Sequence, residues 1–307
     1  MQLRKKVILL AGPTASGKSK LAIKLAKHFN GEIINADSMQ IYKEISILSS
    51  KPKKEDAKIV KHHLYGFKTV KKNFSTGHWL KMVIKKIEGQ WESGKIPIVV
   101  GGTGLYFKAL TNGLVNIPDI PKQLRNKIRN LHKRIGQKNF FEKLIKIDPI
   151  SKKKIYPSDS QRSIRAYEVK QFTKKSIYNF IKKTKPNYKK NVFVKIFINI
   201  PKDILRKNIE KRVDQMFEDG AVQETKKFLK MKIDKDLSAC KIIGINEIKD
   251  YLSGKTTLAQ TKELINQKTR QYAKRQFTWS RGHMKSWKMI YSSDLNDLFK
   301  KSINKIS

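Results

Sequence analysis

The chain has 307 residues, which suffices for one large domain or for a core domain with an insertion. Its 68 lysine and arginine residues against 25 aspartate and glutamate residues give a formal charge of +43. Such an excess predicts a polyanionic partner, above all nucleic acid, although a generally lysine-rich composition would account for part of it. The single cysteine, Cys240, excludes an internal disulfide, and no apolar run approaches the roughly 20 residues of a membrane span, so we expect a soluble cytoplasmic protein.

The first predicted element is a β-strand at residues 7–11, and the sequence after it matches the phosphate-binding pattern G-x-x-x-x-G-K-[ST]. The matching residues are Gly12, Pro13, Thr14, Ala15, Ser16, Gly17, Lys18 and Ser19. A predicted helix follows, as the pattern requires. In such a loop, backbone N–H groups and Lys18 bind phosphate oxygens and Ser19 binds Mg²⁺. The pattern does not establish that the phosphates belong to ATP.

A second strand, predicted at residues 32–36, ends at Asp37. Open parallel sheets bind ligands at the carboxyl ends of their strands, so we expect the Asp37 carboxylate near the phosphate loop. Three roles are consistent with this position: a general base, the N-cap of a helix, or an aspartate associated with Mg²⁺. The residues alone do not choose among them.

A third strand, predicted at residues 96–100, leads into the glycine-rich segment 101–106. Three glycines in four positions allow a ligand to approach the backbone closely, and Thr103 is able to donate a hydrogen bond to a phosphate oxygen. A strand-to-helix turn without a ligand is the alternative. The phosphate loop in the same sheet favours the binding interpretation.

Further strands are predicted at residues 192–198 and 288–291, and the strands alternate with helical segments. This alternation predicts an α/β fold: a P-loop NTPase-like parallel sheet with helices on both faces. Residues 117–190 are lysine-rich and helical in pattern, and prolines mark both ends, which indicates an inserted, mainly helical domain. We therefore expect a catalytic core, with C-terminal helices, formed by residues 1–116 and 191–307.

Two basic segments are candidates for contacts with nucleic acid. In residues 160–166, Arg162 and Arg165 share one helical face, with Gln161 beside them. Residues 269–281 combine basic side chains with aromatic ones that are able to stack on bases. A solvated basic helix is the alternative for the first segment, and a helix core explains some aromatic residues of the second equally well.

Two pairs of residues complete the candidates. Arg206 and Arg212 lie six positions apart in one helical segment, and either is a candidate for contact with a departing diphosphate. His62 and His63 are adjacent and lack the spacing of a metal-binding carboxylate and histidine, so we do not expect a zinc site.

The ordered set of motifs resembles the tRNA dimethylallyltransferases. In chain order the motifs are GPTASGKS at 12–19, NADSMQIYKEI at 35–45, GGTGLYFKAL at 101–110, SQRSIRAYEV at 160–169 and TRQYAKRQFTW at 269–279. The resemblance runs from about residue 7 to residue 281, and its specificity comes from the order of the motifs. No zinc finger follows Arg281, which favours the short bacterial form.

The resemblance implies transfer of a dimethylallyl group from dimethylallyl diphosphate to N6 of the adenosine 3′-adjacent to the anticodon in tRNA, with release of diphosphate. It assigns residues 12–19 and Thr103 to the diphosphate, Ser19 to Mg²⁺, and Asp37, Thr14 and Arg212 to catalysis. The helical insertion is expected to hold the anticodon stem-loop, and we expect a monomer. The residues expected to contact tRNA are Asp37, Ser38, Met39, Gln40, Thr103, Arg125, Gln161, Arg162, Ser163, Ile164, Arg165, Lys241, Gly244, Arg270, Lys274 and Arg275.

One segment departs from the family pattern. Where many members have Val-Gly-Tyr-Arg, this chain has Ile243, Gly244, Ile245 and Asn246, so the family's contacts at the last two positions are not carried over. Three alternative functions remain: an adenylate isopentenyltransferase that acts on a free nucleotide, a P-loop nucleotide or nucleoside kinase, and an RNA-binding protein that uses the loop as a switch. The basic insertion disfavours the first two, and Asp37 beside a second glycine-rich loop disfavours the third.

Overall fold

The computed structural model describes residues 5–306. Residues 1–4 and 307, which the predicted core includes, lie outside the described residues. The strands are β1 (Val7–Ala11), β2 (Gly31–Asn35), β3 (His62–His63), β4 (Ile96–Gly101), β5 (Phe193–Asn199) and β6 (Lys288–Tyr291). The helices are α1 (Lys18–His28), α2 (Lys54–Ile59), α3 (Thr76–Glu92), α4 (Gly104–Asn112), α5 (Lys122–Ile147), α6 (Ser160–Thr173), α7 (Ile177–Lys182), α8 (Lys202–Glu218), α9 (Ala221–Lys230), α10 (Ile245–Leu252), α11 (Leu258–His283) and α12 (Leu295–Ile306). Within residues 5–306, no helix is both long enough and apolar enough to cross a membrane.

The six described strands form one parallel sheet in the order β3-β2-β4-β1-β5-β6. β1 lies between β4 and β5, and β2 lies beside β4. The loops that follow these strands therefore lie at one edge of the sheet. Each predicted strand is present within one residue of its expected ends, whereas the sequence analysis did not predict β3, because two residues are too short for a recognisable pattern.

Both faces of the sheet are buried, which explains why its strands are apolar without alternation. In β1, Ile8 and Leu10 belong to a core that includes residues of α1 and of the helices from α8 to α12. Val7, Leu9 and Ala11 point to the opposite face and belong to a second core with residues of α3 and α4. The prediction of a parallel P-loop-like α/β sheet with helices on both faces is confirmed.

The chain divides into two compact units. One consists of Met1–Thr111 with Tyr188–Ser307, and the other is Asn112–Asn187, where the sequence pattern had suggested an insertion at 117–190. In the second unit, a Cβ on Gly113 would come within 2.3 Å of the Lys185 carbonyl oxygen. The two ends of this unit therefore lie against each other.

The second unit is built on α5 and α6. Gly136 interrupts α5 with a φ of 74° and a ψ of 168°, so the helix has two segments. The core includes Leu144 and Ala166. Glu168 on α6 is only 2% exposed, and its carboxylate oxygens lie 3.9 Å from Arg125, 3.6 Å from Arg129 and 3.3 Å from Arg165. This cluster connects the two helices.

We expect Glu168→Ala to lower the free energy of unfolding by about 1.5–3 kcal/mol, the range for hydrogen bonds to charged groups. The loss is not larger because the three arginine side chains are about half exposed and remain hydrated. Urea denaturation monitored by circular dichroism measures the change. Glu142→Ala, at an exposed position of α5 in the same unit, is the matched control, and equal stability of the two variants would contradict the structural role of Glu168.

Candidate active site

The phosphate loop lies between β1 and α1 at the carboxyl edge of the sheet. Gly17 precedes α1 with a φ of +81°, a left-handed conformation that glycine adopts without strain. Ser16 is 3% exposed, and its Oγ has no hydrogen-bond partner within residues 5–306. Lys18 Nζ donates to the Pro13 carbonyl at 3.0 Å and has two further donors. Together with the N-terminus of α1, these groups form a cradle suited to an anion.

Three charged groups interact beside this loop. Burial lowers the pKa of Lys18 to about 8, while the charge of Asp37 opposes this shift and that of Arg212 adds to it. Burial also lowers the pKa of Arg212, and the charge of Asp37 again opposes the shift. Two cations therefore share a partly buried site with one carboxylate, and the remaining positive charge favours an anion.

The face of α8 that packs on the phosphate loop carries Arg212. Arg212 Nη1 donates to Thr14 Oγ1 at 2.8 Å, and Asn208, one turn earlier, donates to the Ala15 carbonyl at 3.2 Å. Arg206 is exposed, and its Nε donates to Glu210 at 3.0 Å. Of the two arginines that the sequence left open, Arg212 is the one that contacts the loop.

Asp37 follows β2 in a short turn. Its Oδ1 accepts the Met39 N–H at 2.9 Å, and its own N–H donates to Asn35 Oδ1 at 2.7 Å. The next helix, α2, begins only at Lys54, so the helix N-cap interpretation is wrong. The carboxylate instead orders the turn through a local hydrogen bond, as aspartate commonly does.

Aromatic residues surround the Asp37 charge. Burial raises the pKa of Tyr65, Tyr106 and Tyr272, and the charge of Asp37 is the second cause in each case. Tyr106 stacks on Trp79 with 4.2 Å between ring centroids, and Trp79 Nε1 donates to the Asn35 carbonyl at 2.8 Å. The tyrosine hydroxyls therefore stay protonated.

The glycines of the second glycine-rich loop make room for protein atoms. A Cβ at Gly101 would lie 2.1 Å from the Ala36 carbonyl oxygen, one at Gly102 would lie 2.1 Å from Gln276 Nε2, and one at Gly104 would lie 2.2 Å from the Trp279 ring. These contacts are sufficient to explain the glycines without a ligand. The close approach that the sequence suggested is therefore found between this loop and neighbouring protein segments.

Thr103 connects the same loop to the segment that carries Asp37. Its N–H donates to the Ala36 carbonyl at 3.2 Å, and its Oγ1 accepts the Ser38 N–H at 3.0 Å. The hydroxyl also donates to Ser38 Oγ at 3.3 Å. Thr103 thus lies near the proposed base, and its hydroxyl already has protein partners.

Helix α11 contains both buried contacts and exposed cations. Gln276 contacts the two glycine-containing loops, and Arg270 pairs with Glu210 at 3.7 Å and Glu263 at 2.6 Å. Lys274 and Arg275 are exposed. Phe277 and Trp279 are only partly exposed and pack against the core, whereas these two cations are available to an external polyanion.

The other predicted tRNA-binding residues of the first unit have mixed environments. Gln40 Nε2 donates to the carbonyls of Ser49 at 3.0 Å and Ser50 at 2.7 Å, so its amide orders the loop after Asp37. Ser38 and Met39 are partly exposed, and Lys241 is exposed. The N–H of the buried Gly244 donates to Glu247 Oε2 at 2.7 Å.

The predicted tRNA-binding residues of the second unit lie on α5 and α6. Gln161 and Arg162 are exposed at the start of α6. Ser163 is buried and donates to the Asp159 carbonyl at 2.7 Å, and Ile164 is partly exposed. Arg125 and Arg165 pair with Glu168, as described above. Three arginines around one carboxylate leave an excess of positive charge on this unit.

The residues suit a magnesium ion held mainly by a bound diphosphate. Mg²⁺ in such sites takes one or two protein ligands together with phosphate oxygens and water. Ser19 is exposed at the start of α1, and Asp37 supplies a carboxylate. Within residues 5–306, no group of three or more His, Cys, Asp or Glu side chains could hold a metal by itself. His63 is instead paired with Glu32 at 2.6 Å.

Three residues that organise these sites have no role predicted from the sequence. Asn35 holds the turn after β2, Gln276 joins two loops, and Glu168 pairs with three arginines. All three lie within the motifs on which the resemblance rests. Each is a polar residue on the inner face of a helix or strand, and a polar residue at such a position indicates a structural hydrogen bond or ion pair.

Comparisons with known proteins agree on one family. Residues 40–283 match the family model described as IPP transferase. The chain is 52% identical over 301 residues to the tRNA dimethylallyltransferase of Pelagibacter ubique (strain HTCC1062), and this match covers 98% of this chain and 96% of that protein. It is 45% identical over 277 residues to the tRNA dimethylallyltransferase of Rickettsia massiliae (strain Mtu5), covering 90% and 76% of the two chains.

Solved structures give the same result. The full-length tRNA isopentenylpyrophosphate transferase of Bacillus halodurans superposes with a TM-score of 0.70 at 34% identity, covering 98% of this chain and 95% of that one. A eukaryotic dimethylallyltransferase acting on tRNA gives a TM-score of 0.83 at 31% identity, covering 95% and 75%. The similarity therefore extends over nearly the whole chain, in sequence and in fold.

The pKa of Lys18, about 8, predicts that anion binding weakens as the pH rises through this value. Below pH 8 the ammonium is mostly charged, and each further unit above it leaves about tenfold less of the charged form. We expect the affinity of the wild-type chain for inorganic diphosphate to fall between pH 7 and pH 9 more steeply than that of Lys18→Arg, because the arginine guanidinium stays charged over this range. Isothermal titration calorimetry measures both affinities.

The comparison with Lys18→Arg removes the effect of the titration of diphosphate itself, which both proteins share. Lys20→Arg, at an exposed position of the same helix, is the matched control and should behave like the wild type. Parallel pH dependences for the wild type and Lys18→Arg would show that Lys18 does not carry the effect.

Proposed function

The chain belongs to the IPP transferase family, and we propose that it transfers a dimethylallyl group from dimethylallyl diphosphate to N6 of the adenosine 3′-adjacent to the anticodon in tRNA. The observation that carries this proposal is that Asp37 follows β2 at the same edge of the sheet as the phosphate loop, where its charge interacts with two cations, Lys18 and Arg212. A diphosphate in the cradle and a base beside it are the two elements that such a transfer requires.

The proposed reaction exchanges one bond for another. The N6 nitrogen bonds to the allylic carbon of the donor, the bond from that carbon to the diphosphate oxygen breaks, and its electron pair leaves with the diphosphate. The nitrogen loses a proton, which Asp37 accepts. The exocyclic amine of adenine is a poor nucleophile because its lone pair is delocalised into the ring, so orientation and leaving-group stabilisation supply most of the acceleration.

The residues of the cradle act on the leaving group. Lys18 and the Ser16 hydroxyl bind diphosphate oxygens, while Arg212 stabilises the charge that grows as the carbon–oxygen bond breaks. Arg212 also fixes the Thr14 hydroxyl through their 2.8 Å hydrogen bond. Ser19 would hold Mg²⁺ together with the diphosphate, and the ion would neutralise part of the diphosphate charge when bound.

The basic surface supports tRNA as the acceptor. Lys274 and Arg275 are exposed on the first unit, and Gln161 and Arg162 are exposed on the second. The net charge of +43 provides the long-range attraction. An adenine within the anticodon loop must leave its stack to reach a base such as Asp37, as in other enzymes that modify a base. We place this activity in the cytoplasm and in a single chain.

A labelled donor tests the function directly. The purified chain is incubated with radiolabelled dimethylallyl diphosphate and Mg²⁺, and with unmodified tRNA, AMP or no acceptor. We expect label in tRNA, at the adenosine that follows the anticodon, since only tRNA engages the basic surface. Nuclease digestion and chromatography of the labelled nucleoside locate the group.

The three acceptor arms separate the alternatives. Label on AMP and not on tRNA would establish an adenylate isopentenyltransferase. A kinase would transfer phosphate from radiolabelled ATP to a nucleotide in a parallel reaction and would leave the prenyl label in the donor. Replacement of adenosine 3′ of the anticodon by guanosine in the same tRNA is the matched substrate control.

Replacement of Asp37 tests its role as the base. Asp37→Asn keeps a side-chain oxygen that can accept the Met39 N–H but removes the basic carboxylate. We expect kcat to fall about a hundredfold or more, a loss typical of removed acid–base catalysis, while the Kd for tRNA changes little. Single-turnover transfer and filter binding measure the two quantities. A kcat within a few-fold of that of the wild type would refute the assignment.

A further inference from the structure

Gln276 on α11 joins two loops that belong to different strands. Its Oε1 accepts the Thr14 N–H at 2.8 Å, and its Nε2 donates to the Gly102 carbonyl at 3.0 Å. Gln276 is partly buried, and both ends of its amide are thus paired with backbone groups. One side chain therefore bridges the phosphate loop and the loop after β4, beyond the point where β1 and β4 are paired.

The two loops that Gln276 joins make further hydrogen bonds toward Arg212 and toward the segment of Asp37. On one side, Thr14 accepts from Arg212, the cation assigned to the leaving group. On the other side, Gly102 is followed by Thr103, which contacts the backbone of Ala36 and Ser38 on either side of Asp37. The Gln276 amide is thus a side-chain connection, additional to the sheet, between the groups that would hold the donor and the segment that carries the proposed base.

The glycine at position 102 is needed for this connection. A Cβ there would come within 2.1 Å of Gln276 Nε2, so any larger residue would displace the amide from the carbonyl that it contacts. An amide suits this position because it pairs with one N–H donor, that of Thr14, and one carbonyl acceptor, that of Gly102. It does so without adding charge to a site that is proposed to bind a diphosphate.

We propose that Gln276 is a positioning residue that holds the diphosphate cradle at the correct distance from Asp37. The proposal rests on the transfer reaction proposed above. A misplacement of reacting groups by about 1 Å is able to cost about a hundredfold in rate, even when each group is intact. Loss of the Gln276 link therefore reduces kcat and leaves the cradle itself able to bind diphosphate.

The test compares Gln276→Ala, which removes both hydrogen bonds, with Gly102→Ala, which displaces the amide without removing it. For each variant we expect kcat to fall about ten- to a hundredfold, while the Kd for inorganic diphosphate, measured by calorimetry, stays within about threefold. Gln267→Ala, at an exposed position of α11, and Gly89→Ala, whose added Cβ meets no atom within 4 Å, are the matched controls.

The double variant Gln276→Ala/Gly102→Ala gives an independent readout. With the amide gone, the Cβ at position 102 has nothing to displace, so we expect the double variant to be no slower than Gln276→Ala. Additive losses would overturn the proposal, as would unchanged kcat or a parallel loss of diphosphate affinity. Should Gln276→Ala fail to fold, Gln276→Ser, whose uncharged side chain is too short to reach either loop, takes its place in the same cycle.

The wild-type arm separates this proposal from the proposed function. If the wild-type chain transfers no label to tRNA, the transfer reaction itself is refuted, whatever the variants do. If the wild type transfers label and the variants match their controls, the transfer reaction stands and the role of Gln276 is refuted.

Discussion

Lys18 and Arg212 lose part of their hydration where the phosphate loop packs against α8, and Asp37 supplies one negative charge against their two positive ones. Burial of charge is costly unless it is compensated, and here the compensation by the protein is incomplete. The lowered pKa of Lys18 reflects this incomplete compensation, because the charge of Asp37 offsets only part of the effect of burial. The negative charge of a diphosphate, the ligand proposed above, would offset this excess of positive charge. The charges of the site therefore suit an anion.

The order of the strands determines which groups meet this anion. β1, β4 and β2 are neighbours in the parallel sheet, so the phosphate loop, the second glycine-rich loop and Asp37 leave the sheet at the same edge. α8 and α11 then pack against these loops and add Arg212 and Gln276 from distant parts of the sequence. The sheet supplies the common edge, and the two helices fix the distances across it.

The strands and the phosphate loop could be predicted from the sequence, whereas the distances between remote side chains could not. The apolar strands and the phosphate loop have patterns that depend on neighbouring residues, so their positions could be predicted to within a residue or two. The glycines at 101–104 predicted a close approach of a ligand to the backbone. The atoms that approach them belong instead to Ala36, Gln276 and Trp279, which come from other segments of the chain. Likewise, nothing local distinguishes Arg212 from Arg206, because the difference lies in which face of α8 packs on the loop. Contacts between remote segments decide such questions, and a single sequence does not contain them.

The same arrangement explains how a phosphate loop serves carbon transfer. In a diphosphate monoester the negative charge lies on the non-bridging phosphate oxygens, and further charge develops on the ester oxygen as its bond to the allylic carbon breaks. In the proposed reaction, Lys18 and Arg212 would interact more strongly with the transition state than with the bound donor, which is the condition for a contribution to rate rather than to binding alone. Asp37 has the opposite charge and a different task, since it must lie close enough to take a proton without neutralising the cradle. In the proposed reaction, the separation between Asp37 and the diphosphate would therefore affect the rate, and the hydrogen bonds of Thr103 and Gln276 connect the segments that would set this separation.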